Sequence, residues 1–300
     1  MGENLTFLDD IVPDAPDITS ELIVECEESG DFRPILFEYY RFIAQLSVTC
    51  SCIQFDSPAW TGKSRKTWEV VVGSFTRCHR LMAANLEYFQ HDRYGEATQI
   101  LDRCLFETAV KIIWLVSDPT EDRTRRFLEG SLRPDRELEQ RIEKNIKDRS
   151  DQVLVIENRM LRSIARHRNL AGFGAVDPDT FRRMPDLSVI LKDIGEDRAA
   201  YVSIGKIGSN HVHGNWGSLL SAYLKVDGNG EIEPRHEQLP SIVDQYVLLP
   251  LYIISSQKAF LLNCFEEGEF RDYLLHIFDQ TQSELLGFNR QSVGTDFDVA

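Results

Sequence analysis

The chain has 300 residues, 42% of them hydrophobic and 27% charged, which excludes a collagenous or low-complexity polymer and allows a core of ordinary size. Its formal net charge of -15 excludes a uniformly basic nucleic-acid binder.

The acidity sits at the ends. Met1–Asp31 holds ten Asp and Glu and no Lys or Arg, and Glu266–Ala300 holds eight acids against Arg271 and Arg290. Residues 1–30 therefore read as an acidic arm, with Pro13, Pro16 and a short helix from Ile18. Asp31 is placed to cap a helix over Phe32–Ile53, with Pro34 in its first turn. Asp56–Ser64 is a loop. Apolar residues at helical spacing then predict helices over Lys66–His91 and Arg93–Val116. Ser117-Asp118-Pro119 stops the second of these and caps the next. Two further helices are expected, Glu121–Gly130 and Asp135–Asn169, the latter with a break near Ser150. After an Ala171–Phe181 loop come shorter helices over Leu187–Ile194 and Glu196–Lys206. Alternation around Asp227-Gly228-Asn229-Gly230 predicts a small β-hairpin near residues 220–234. Leu239–Phe265 is a very apolar helix that Pro250 should kink, placed in the core or at a homodimer seam. Phe270–Leu286 is the last helix, and 287–300 a disordered tail. The sum is an all-α multi-helix bundle, one domain over 31–286.

None of the six cysteines forms a CxxC, so they read as structural thiols. The acidic N-terminus lacks a signal peptide's apolar run, and Tyr246–Ile254 is too short to cross a bilayer. A cytoplasmic location with no membrane contact is the expectation.

Three groups of residues carry candidate chemistry. Arg103 and Glu107 lie at i and i+4 in an apolar helix, with Lys111 continuing the line. This is an exposed ion-pair stripe or one side of a polar site. The second group is Tyr201–Trp216, with His211 and His213 among Ser203, Ser209 and Asn210. In an extended segment the two imidazoles would face one side and could share a metal; on a helix they diverge by roughly 200°. No further ligand set accompanies them, so no metal and no cofactor are expected. The third group, Arg159, Arg162, Arg166 and Arg168, forms a basic stretch with no acid among the four. It is a solvated helical face, or the phosphate contacts if RNA binds. Arg162-x4-His167 matches the loose Arg-x(4–6)-His pattern of HEPN ribonucleases, with Ser163 where those enzymes usually place Asn, Asp or His.

Ile100–Gly130 together with Tyr201–Trp216 resembles the bacterial domain-of-unknown-function family 5677, over about Trp68–Leu262. The resemblance carries over Arg103, Glu107, Tyr201 and His213, with His211 beside them. It implies a relative of helical HEPN-type proteins, which are often toxins or defence nucleases. Three functions follow as expectations. The first is an RNA-cleaving or defence protein using His213 or His211 as acid/base and Arg103 on phosphate. The second is a non-enzymatic scaffold or sensor whose polar cluster is structural or binds a small ligand and whose acidic ends meet a protein partner. The third is a metal-dependent hydrolase using both histidines.

Overall fold

The computed structural model describes residues 12–91, 95–197, 202, 207–240 and 245–293. Helix α1 (Ser20–Ser29) starts where the Thr19 hydroxyl accepts from the Leu22 amide at 3.2 Å, and stops at Gly30, whose φ of 68° suits a residue without Cβ. Asp31 accepts the Arg33 amide at 3.0 Å and opens α2 (Arg33–Cys52), where Pro34 sacrifices no helical hydrogen bond. Ser64 caps α3 (Arg65–Phe89) by accepting from the Thr67 amide at 3.3 Å. After α4 (Gly95–Val116), Asp118 accepts the Thr120 amide at 2.9 Å and the Arg123 amide at 2.7 Å, which turns the chain into α5 (Asp122–Asp148).

Here the structure departs from expectation. The two helices predicted over Glu121–Gly130 and Asp135–Asn169 are not separated at Pro134: α5 runs through it. Pro134 lies on the exposed face, where the carbonyl that loses its donor can be solvated. The break falls near Ser150, as the sequence suggested, with Ser150 and Asp151 at φ 54° and 65° before α6 (Val155–Leu170). A 3-10 turn (Pro178–Thr180), α7 (Leu187–Asp193) and α8 (Ile207–His213) follow. The helix expected over Glu196–Lys206 falls largely outside the described residues. Asn215 accepts from the Ser218 amide at 3.1 Å to start α9 (Trp216–Ser218), which runs into a π turn over Leu219–Tyr223. The hairpin is present: β1 (Leu224–Val226) pairs antiparallel with β2 (Ile232–Pro234), Lys225 opposite Glu233. Helix α10 (Gln245–Cys264) continues through Pro250. Helix α11 (Glu269–Val293) extends past Gly287, where a disordered tail was expected.

Four helices close a ring: α2 packs on α3, α3 on α4, α4 on α10 and α10 on α2. Tyr40, Phe75, Phe106 and Phe260 are fully buried inside it. By length and hydropathy α10 would suit a membrane span, but over half of its apolar window is covered by neighbouring helices, which makes it a core helix here. The acidic arm is not loose throughout: Cys26 of α1 is buried, and Leu22 and Ile23 pack against the core. Helices α7 and α8 lean on α4, while α6 packs on α5. Cys26, Cys50, Cys78 and Cys264 are buried free thiols, Cys104 is half-buried and Cys52 exposed.

Candidate functional site

The α4–α8 contact places the two sequence-derived groups at one cleft of about 460 Å³. Arg103, Glu107 and Lys111 line it from α4, and Val212 and His213 from α8. Ser74 and Arg77 of α3 and Phe127 and Ser131 of α5 complete the walls. The i, i+4, i+8 spacing on α4 sets one line of charge along the cleft floor. Glu107 sits at its centre: Arg103 Nε donates to Oε1 at 2.7 Å and Lys111 Nζ to Oε2 at 2.9 Å. Burial pushes the Glu107 carboxyl up, but Lys111 and Arg103 more than offset this and hold it below the usual carboxylate range. Arg103 keeps only 15% of its side chain exposed, against 30% for Glu107. This is a half-buried cluster, not a fully exposed ion-pair stripe.

Arg77 adds a third cation. Its Nε donates to the Thr108 hydroxyl at 3.2 Å, and that hydroxyl donates to the Cys104 carbonyl at 2.7 Å. Sequence reading missed Arg77, Thr108 and Ser131. Arg77 lies on a different helix with no partner at fixed spacing, so only the fold brings it in.

The histidines separate as a helix requires. His213 is exposed at the cleft. His211 is half-buried; its Nδ1 is enclosed and has no hydrogen-bond partner among the described residues, and burial lowers its pKa, opposed by the charge of Glu96. The shared metal grip imagined for an extended His-Val-His is thus ruled out by the helix itself. Among the described residues no group of three His, Cys, Asp or Glu is placed to hold a metal. Nor, among them, does a hydrogen bond join Glu107 to either histidine; its oxygens accept from Arg103 and Lys111. Tyr201 lies outside the described residues.

The basic stretch lies elsewhere. Arg159, Arg162, Arg166 and Arg168 are on α6, and none lines the cleft. Arg168 makes two bonds to Glu139 of α5, at 3.2 and 3.0 Å, tying the two helices together. His167 meets Asp135 at 2.9 Å and Arg162 donates to Asn158 at 3.2 Å, so the HEPN-like pair is engaged with different neighbours.

Behind the cleft, Asp102 turns into the ring. Asn85 Nδ2 donates to Asp102 Oδ1 at 2.8 Å and to the Tyr40 hydroxyl at 3.0 Å, and Gln245 Nε2 donates to Asp102 Oδ2. Burial pushes the Asp102 carboxyl up to about 8, against the two amide hydrogen bonds.

The family model described as "Family of unknown function (DUF5677)" matches residues 69–232, more than half of the chain. The chain belongs to the DUF5677 family. The DUF5677 segment spans α3 to β2, and every residue lining the cleft falls inside it. No curated protein and no solved structure matches the chain.

Proposed function

We propose that the cleft binds a phosphate-bearing anion, and that this ligand is an RNA phosphodiester which the protein cleaves as a HEPN-like defence or stress enzyme. The observation that carries the reading is charge: Arg77, Arg103 and Lys111 face the cleft against one carboxylate, Glu107. In a chain of net charge -15 such a local excess of cations attracts an anionic occupant. Arg103 and Arg77 present guanidinium donors suited to phosphate oxygens, and Glu107 holds Arg103 and Lys111 in place. His213 is the proton-transfer group. It takes the 2′-hydroxyl proton, the 2′-oxygen attacks phosphorus, and the 5′-oxygen leaves with a proton from water. Arg103 and Arg77 offset the charge that builds on the phosphoryl oxygens.

A second reading has its own support. His213 has no hydrogen-bonded carboxylate among the described residues, and an unoriented imidazole favours a sensor that binds a small anion without turnover.

One pair of variants separates the readings. Arg103→Ala is expected to weaken RNA or nucleotide binding about 10- to 100-fold, the worth of a charge-assisted hydrogen bond. His213→Ala is expected to keep binding and slow cleavage by about 10²- to 10⁴-fold. RNA left intact by wild-type protein that still binds it would leave the sensor reading, and unchanged binding by Arg103→Ala would dispose of both.

A further inference from the structure

The α5–α6 hairpin ends in an apolar tip that the cleft does not use. Val153, Leu154, Val155 and Ile156 follow one another at the turn and are 49%, 43%, 80% and 54% exposed. Four consecutive large apolar residues standing in water are rare on a soluble surface and mark a contact. The turn is held in shape: Ser150 and Asp151 both take left-handed backbone, and Glu157 accepts from the Leu154 amide at 2.9 Å and pairs with Arg149. At 1.5 Å per residue the tip stands roughly 30 Å along α5 from Ser131 at the cleft, so it belongs to a different site.

Behind the tip cations outnumber acids. Val155, Arg159, Arg162 and Arg166 recur at +4, +3 and +4, one stripe along α6, and all are exposed. Lys144 and Lys147 are exposed on α5. Among the described residues none of these five cations is in an ion pair, while Glu143, Asp148 and Asp151 are the exposed acids at the same end. Arg159 and Arg162 lie about 6 and 10 Å behind Val155 along the helix axis. An apolar element resting on a bilayer sinks about 5–10 Å into the boundary between headgroups and acyl chains. The arginines would therefore meet headgroup phosphates while the tip reaches the acyl chains.

We propose that this tip is a peripheral docking site for an anionic lipid surface, with Val155 and Ile156 entering the boundary and Arg159 and Arg162 taking lipid phosphates. The apolar run is far too short to span a bilayer, so the contact is superficial and reversible. RNA would use the arginines but has no use for four exposed aliphatic side chains, which is why lipid is the better occupant.

The test uses the full chain with vesicles of phosphatidylcholine, alone or with phosphatidylserine, in co-sedimentation. Wild type is expected to bind the phosphatidylserine vesicles at least about tenfold more tightly, with the preference lost at high salt. Arg159→Ala with Arg162→Ala is expected to cost about thirtyfold in vesicle affinity, at the usual worth of each surface cation. Val155→Asp with Ile156→Asp is expected to abolish binding at unchanged melting temperature, because both side chains are already exposed. The proposal is overturned if wild type ignores both vesicles or if the aspartate pair binds as wild type. It is equally overturned if that pair merely converts an oligomer to a monomer, which would mark a contact between copies. Loss of RNA binding but not vesicle binding in the arginine pair would assign the stripe to RNA instead.

Discussion

Asp102 and Arg103 are neighbours in sequence, yet α4 turns one into the ring and the other into the cleft. The consequence for Asp102 is a carboxyl raised from 3.8 to about 8 by burial. A group that binds its proton more tightly folded than unfolded stabilises the protein fully below its unfolded value and loses that contribution as pH rises through the folded one. Thermal stability should therefore fall between about pH 4 and pH 8 through this residue, and Asp102→Asn should flatten that slope. Parallel melting-temperature profiles for the two proteins across this range would contradict the assignment. The sequence offered little warning: an Asp in an apolar helix reads as a surface charge until Asn85 and Gln245 are seen to enclose it. Arg103 and Glu107 were legible because i and i+4 fix a shared face without any knowledge of the fold. Their alignment with His213 was an expectation drawn from resemblance, and the structure sets all three at one cleft while leaving the histidine unbonded to the carboxylate.

At the scale of elements, starts and stops were readable where a side chain does the capping. Asp31 and Asp118 were legible as caps and accept from backbone amides two to five residues on; Thr19 and Ser64 do the same, though the sequence was not read that way. Where the outcome depended on exposure, local signals misled. Two helices were expected over Glu121–Gly130 and Asp135–Asn169, but α5 runs on through Pro134, which on a solvent-facing side removes one hydrogen bond. The reverse holds for Gly130, four residues earlier. Helix propensity alone favours Gly130→Ala by about 1 kcal/mol. A Cβ there would stand 2.7 Å from the Met184 amide nitrogen and 3.1 Å from its Cα, contacts with backbone that cannot swing away. Overpacking of this kind costs about 1–3 kcal/mol. The clash should win, and Gly130→Ala should lower the melting temperature by a few degrees. A rise would mean that the loop carrying Met184 yields freely.

Over the whole molecule, the all-α class and the lone hairpin followed from periodicity, because helical spacing recurs in nearly every segment while strict alternation appears once. The ring was not legible: nothing in the spacing of apolar residues says that α10 meets both α4 and α2. Charge was legible in amount but not in placement. The acidic ends border a near-neutral body, and within that body the cations collect at the cleft and along α6.

The ring also bears on what the family boundary means. The matched segment, 69–232, contains α4 entire and all of α3 but its first turn, yet neither α2 nor α10. Cut at those limits, the chain would keep every cleft residue and lose half of the wall around Phe75 and Phe106. A fragment of that extent should therefore expose a broad apolar face and aggregate, visible as dye binding and loss of soluble yield beside the full chain. The unit by which kinship is recognised is shorter than the unit that closes the ring. Its two missing staves are supplied from either end of the polypeptide.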